Sequence, residues 1–262
     1  MLKQKEIISH LLDSYENIVD LYNNCAAGDC FGSGNGNGGG GGGNPSPTPS
    51  PTGSPDPKQQ KLLNCTDTTL NRLNDMINAS GDPLRTDLHG LKGNIEGKKS
   101  EMLNNIQQRI PDQGTEGSLY GYVAEGMLDW KLAAGTPGSA PLPKPLLRAG
   151  INVPGTEIDF VTGSSEASNI VMGEVKTGNQ KAEDQAVNAR AKFTFAKQGD
   201  DGAPPAQRFV YYVDDFAIKP QLKTLLRDAA KDIFPFDPNR DIIRLKEAVP
   251  ELAECGMGPP AP

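Results

Sequence analysis

The stretch from Gly28 to Gln60, GDCFGSGNGNGGGGGGNPSPTPSPTGSPDPKQQ, constrains this chain more than any other, because it cannot contribute to a core. Its glycine half is a flexible coil and its Pro-Ser-Thr half a stiffer, polyproline-like spacer, since neither buries enough apolar surface to offset chain entropy. Whatever folds must lie on either side of it. Glycine-rich runs can also cradle phosphate, but that requires a strand before the loop and a Lys-Ser/Thr after it, and both are missing here.

Residues 1–27 precede this linker. Ile7, Ile8, Leu11, Leu12, Tyr15, Ile18, Val19 and Tyr22 recur at steps of three and four, which predicts an amphipathic helix. Glu6, Asp13, Glu16 and Asp20 interrupt its apolar positions, so neither a secretory h-region nor a Sec cleavage site is expected. The same carboxylates oppose an anionic lipid surface. The helix reads as a docking or dimerising arm, giving a possible homodimer, and no membrane partner is expected.

After the linker, residues 61–110 carry helical spacing: Leu70, Leu73 and Ile77, then, past Gly81-Asp82-Pro83, Leu84, Leu88, Leu91, Ile95, Leu103, Ile106 and Ile110. Two helices are predicted, as scaffold. Residues 111–236 read as a further domain. A helix over 116–134 presents Leu119, Val123, Met127 and Trp130, and Gly135 ends it. Strand-type runs follow at 157–162 and 169–177, with room for another at 146–153; then come a helix at 181–197, a strand at 208–213 and a helix at 220–233. The fold class is α/β or α+β, a small mixed sheet flanked by helices, and residues 237–262 are left as a C-terminal tail.

Chemistry is bounded by what is scarce. His10 and His89 are the chain's 2 histidines, so residues 90–262 have no imidazole for a Ser-His-Asp or Cys-His pair or for His-ligated zinc. The 4 cysteines, Cys25, Cys30, Cys65 and Cys255, match no zinc spacing. A Cys25–Cys30 disulfide is possible in an oxidising compartment, and the four are read as structurally minor. The formal charge of -7 argues against avid nonspecific binding to nucleic acid. No apolar run approaches the length of a bilayer-spanning helix.

One constellation stands out. Asp159 sits in EIDFV, and Glu174 and Lys176 flank Val175 in GEVKTG. Alternation along a strand puts Glu174 and Lys176 on one face, and a hairpin brings Asp159 opposite them. Two carboxylates and an ammonium at one sheet end suit a hard divalent cation with a water beside it. An exposed cross-strand ion pair of small energetic value would use the same residues.

Asp159 followed by Glu174-Val175-Lys176, each after apolar strand residues, resembles the PD-(D/E)XK nucleases, which include restriction enzymes, Holliday-junction resolvases and toxin nucleases. Glu157, two residues before Asp159, strengthens the likeness to resolvase-like members, and the resemblance covers 116–213. It implies a restriction-endonuclease-like core and a Mg²⁺-dependent (or Mn²⁺-dependent) endonuclease that hydrolyses phosphodiester bonds. Asp159, Glu174 and the Val175 backbone carbonyl would hold the metal, Glu125 would complete the ligand set from the first core helix, and Lys176 would orient the attacking water. Glu116 competes with Glu125 for the helix position, although its place near the helix start also suits the dipole alone. On the helix after the lysine, Gln185, Arg190 and Lys192 would meet substrate phosphates; an ordinary solvated helix with Ala186, Val187, Phe193 and Phe195 partly buried explains them too.

Helix, linker, helical segment and nuclease-like domain together resemble toxins delivered into a target-cell cytoplasm without a Sec signal. That implies a bacterial DNase effector with an immunity protein as partner. A cytoplasmic housekeeping or phage DNA-processing nuclease, and a structural or adaptor protein with an idle site, remain alternatives. The partner is nucleic acid, DNA first, although no base-reading motif separates it from RNA.

Overall fold

The structure is a computed structural model and describes residues 53–112, 114–135, 145–153, 156–164, 169–178, 182–199, 203–214 and 220–256, with 184 and 185 described as backbone alone. The helix expected over 1–27, Cys25 and Cys30, and most of the linker lie outside the described residues.

Helix α1 (Pro57–Ala79) begins inside the segment read as linker. Asp56 is the reason: its carboxylate accepts the Gln59 N–H at 2.8 Å while the Gln59 side chain accepts the Asp56 N–H at 3.0 Å, and Pro57 occupies the first turn, where its missing donor is harmless. Helix α2 (Leu84–Gln108) returns after the Gly81–Pro83 break, and α3 (Thr115–Ala134) ends on Gly135 in the left-handed region, φ 69°. All three share one core through Leu73, Leu88, Ile95 and Val123.

Strands β1 (Leu146–Val153), β2 (Thr156–Thr162), β3 (Val171–Lys176), β4 (Arg208–Val213) and β5 (Ile242–Arg244) form a single sheet in the order β1-β2-β3-β4-β5. The first two junctions are antiparallel and the last two parallel. Helices cover both faces. Phe160, Val171, Val210 and Tyr212 pack toward α1–α3, while Val161, Met172, Phe209 and Tyr211 pack toward α5 (Ala189–Gln198) and α6 (Pro220–Ala230). The first face depends on Gly173, where a Cβ would lie 2.1 Å from Phe160 Cζ and 2.8 Å from the Val210 carbonyl.

Three further boundaries differ from the sequence reading. The helix expected over 181–197 is broken: α4 (Ala182–Gln185) and α5 are separated by a turn in which Asn188 takes φ 61°, a left-handed value its short polar side chain tolerates. The helical segment 61–110 is not separate from the sheet, because Ser50–Pro262 form one compact unit and α1 and α2 share their core with it. Nor is 237–256 a tail. It supplies α7 (Pro238–Asp241), β5, α8 (Leu245–Ala248) and a 3-10 turn (Pro250–Cys255), with Leu245, Val249 and Leu252 in the α1–α3 core. Buried Asp241 anchors this stretch, taking the Arg208 Nε donor at 2.7 Å, the Arg240 guanidinium at 2.7 Å and the Asp237 N–H at 2.9 Å. A Cys65–Cys255 disulfide ties the turn to α1, so these two cysteines are structural staples rather than minor residues.

The architecture is therefore mixed α/β, one five-stranded mixed sheet flanked by helices. No helix among the described residues is long and apolar enough to cross a membrane.

Candidate active site

Strand alternation builds the site. With Phe160 opposite Gly173 across β2 and β3, Glu157 and Asp159 share a face with Val161, and Glu174 and Lys176 share it with Met172. That face is the one α5 covers, and Lys192 of α5 reaches the same point. Glu174 receives two ammoniums: Lys176 Nζ on Oε1 and Lys192 Nζ on Oε2. Both Glu174 and Lys192 are buried, 2% and 4% exposed. Asp159 Oδ2 accepts the Val175 N–H at 2.6 Å, which locks its carboxylate against β3. Across a cleft of about 610 Å³, Glu125 of α3 faces Asp159, Glu174 and Lys176. Gly117 and Gly121 of α3 line the same cleft and leave the helix wall without side chains there.

Like charges crowd this cleft. Burial, then the Glu174 charge, push the Asp159 carboxyl up to about 8 against the opposing pull of Lys176, Lys192 and the Val175 N–H. Burial and then Asp159 hold the Glu125 carboxyl well above its ordinary range, with Asp129, Glu157 and Glu174 adding to the effect. At Lys176 burial disfavours the ammonium, but Glu174, Asp159 and Glu125 outweigh it and leave the group above its ordinary value.

Asp159, Glu174, Val175, Lys176 and Glu125 are thus brought together. Glu116 is elsewhere, tied to α1 by Lys58 at 3.5 Å and by the Gln59 amide donor at 2.7 Å, and its carboxylate serves helix packing. Lys192, expected to meet substrate phosphate, lines the cleft but is buried and paired with Glu174. Arg190 is exposed and lines a different groove with Val153 and Phe195, so it does not join the cleft. The Gln185 side chain lies outside the described residues.

Sequence reasoning missed Asp129. It stands one turn beyond Glu125 on α3, is fully buried, and neither oxygen has a hydrogen-bond partner; burial and the charges of Asp159 and Asp87 hold its carboxyl well above the usual range. The i, i+4 spacing from Glu125 was the available signal. Tyr211, opposite Glu174 in the β3–β4 register, was also missed; its hydroxyl is buried without a partner.

Among the described residues, no three His, Cys, Asp or Glu side chains are already grouped to hold a metal ion. The donor chemistry nonetheless suits a hard divalent cation: mutually repelling carboxylates in one cleft, with positive charge drawn in from two lysines. Compared with models of known families, with curated proteins and with solved structures, the chain matches none.

Proposed function

We propose that this cleft is a phosphodiester-hydrolysing site of the PD-(D/E)XK kind and that the chain is a metal-dependent nuclease. One observation carries the reading: Asp159, Glu174 and Lys176 converge on one face of two adjacent strands, with Glu125 across the cleft. The order helix, three antiparallel strands, helix, parallel strand supports a restriction-endonuclease-like core.

In this reading Asp159, Glu174, the Val175 carbonyl and Glu125 would hold Mg²⁺ or Mn²⁺. The bound ion would supply Lewis acidity to the scissile phosphate and a water made acidic enough to attack near neutral pH. Lys176, kept charged by its carboxylate neighbours, orients that water and screens the charge developing on the phosphate oxygens. The Val175 N–H fixes the Asp159 rotamer, so one oxygen is committed to the strand and the other is left for the cleft. Nucleic acid, DNA first, is the substrate, and the acidic chain would make only local phosphate contacts. The role that fits a long linker before such a domain is a bacterial DNase effector held in check by an immunity protein.

Purified protein incubated with plasmid DNA and Mg²⁺ or Mn²⁺ tests the activity. Cleavage should be abolished by EDTA and should fall about a hundredfold or more in Asp159→Ala and Lys176→Ala. A wild-type protein that leaves DNA and RNA intact with every divalent ion tried ends the nuclease reading. Growth arrest on cytoplasmic expression, relieved by Lys176→Ala, tests the effector role, and harmless expression of an active nuclease would reject it.

A further inference from the structure

Glu174 is over-served. A buried carboxylate needs one cation for neutrality, and this one receives two, each from a lysine that is itself largely withdrawn from water. The excess makes sense only for the group: Asp159 and Glu125 face the same cleft, and the two ammoniums together carry the charge of one divalent ion. Each Glu174 oxygen therefore faces an ammonium, Oε1 hydrogen-bonded by Lys176 and Oε2 in ion contact with Lys192 without a hydrogen bond, and a divalent ion reaches this carboxylate as the more weakly held ammonium leaves.

We propose that Lys192 is a resident counter-cation of Glu174 which a divalent ion must displace, and that Glu157 receives the displaced ammonium. The inference rests on the metal-site reading above. Both lysines line the cleft, and Lys176 is the one that stays, because it shares β3 with Glu174 at a two-residue spacing. Lys192 is the one free to move. It comes from a different element, and α5 starts after a turn in which Asn188 takes a left-handed φ of 61°. Glu157 lies on the same sheet face at the rim of the same cleft, is exposed, and already feels the charge of Lys192. An ammonium moved there keeps a carboxylate partner and gains water. The device sets a threshold: the ion's affinity is its intrinsic affinity reduced by the cost of expelling Lys192, so the cleft rejects a divalent ion below that concentration while remaining electrically balanced.

Calorimetric titration with Ca²⁺ reads this without catalysis. Lys192→Met keeps the apolar stem but removes the competing ammonium, and should bind Ca²⁺ roughly tenfold more tightly than wild type. Glu157→Gln should weaken Ca²⁺ binding a few-fold in the wild-type background and have no effect beside Lys192→Met, because its part is to receive the lysine. A folded Lys192→Met with unchanged or weaker Ca²⁺ affinity overturns the proposal, as does Glu157→Gln weakening binding equally in both backgrounds, which would make Glu157 a direct ligand. Should Lys192→Met fail to fold, reductive methylation of the unaltered protein, read by mass spectrometry at Lys192, gives the same decision. Labelling should be slow without Ca²⁺ and several-fold faster with it, and equal rates overturn the displacement. If neither Ca²⁺ nor Mn²⁺ binds wild type or variant, the metal-site reading itself has failed; if they bind and Lys192 does not respond, only the displacement has.

Discussion

Asp214 shows how a single buried residue sets a pH dependence. It follows β4, is 6% exposed, and takes the Tyr120 hydroxyl at 3.4 Å on one oxygen while the other has no partner. Burial pushes its carboxyl up to about 6, against the help of the Gly178 N–H, the Tyr120 hydroxyl and the Lys246 charge. Because the folded value lies above the unfolded one, the unfolded chain gives up this proton first, and the stability Asp214 contributes is lost as pH rises from about 4 to about 6. Asp214→Asn removes that loss. Melting from pH 4 to 8 should show the variant gaining on wild type through this window and then holding a constant lead of about 2–3 kcal/mol. A difference independent of pH would assign the effect to packing. Asp159, Glu174 and Lys176 were legible at this scale because the period of two places them together whatever lies around them. Lys192 was legible as a basic residue near the site, but its burial was not.

At the scale of elements, β3 carries both the metal-site candidates and the closest packing in the sheet. Phe160 lies across Gly173, one residue from Asp159 on β2 and one from Glu174 on β3. A methyl group at Gly173 has nowhere to go, so Gly173→Ala should cost about 1–3 kcal/mol in a urea titration as Phe160 and, with it, Asp159 shift. Unchanged stability would mean Phe160 can swing aside freely. Gly126 plays the same part between helices, where a Cβ would lie 2.8 Å from Thr69 Cγ2 of α1. Helices α1–α3 and the inner strands followed from their periodicity, whereas the break between α4 and α5 and the short α7 and α8 did not. The three-residue β5 did not, because a strand so short has no period to read and is recruited by the exposed edge of β4.

The whole molecule is closed by residues far apart in the chain. The Cys65–Cys255 disulfide spans a sequence separation of 190, joining α1 to the final turn, and Lys131 of α3 pairs with Glu251 of that turn at 2.7 Å. Removing the staple in Cys65→Ser with Cys255→Ser should lower unfolding stability by about 2–4 kcal/mol under oxidising conditions, and a reducing agent should bring wild type down to the variant. Equal stability without reductant would show that packing of Val249 and Leu252 alone holds the C-terminal stretch. A chain ended after Phe236 should fail to fold at all, since it lacks β5 and leaves Arg208 without Asp241.

Local order was written in the sequence: the periods of α1–α3 and of the inner strands, and the juxtaposition of Asp159 with Glu174 and Lys176. Each depends on near neighbours or on the strand's fixed alternation. Tertiary structure decided what long-range packing controls. It put Lys192 on Glu174, buried Asp129 beside the site, drew the supposed tail into the sheet and joined Cys65 to Cys255. These outcomes turn on which surfaces meet, and a surface acquires its partner only when distant segments have packed on the two faces of the sheet.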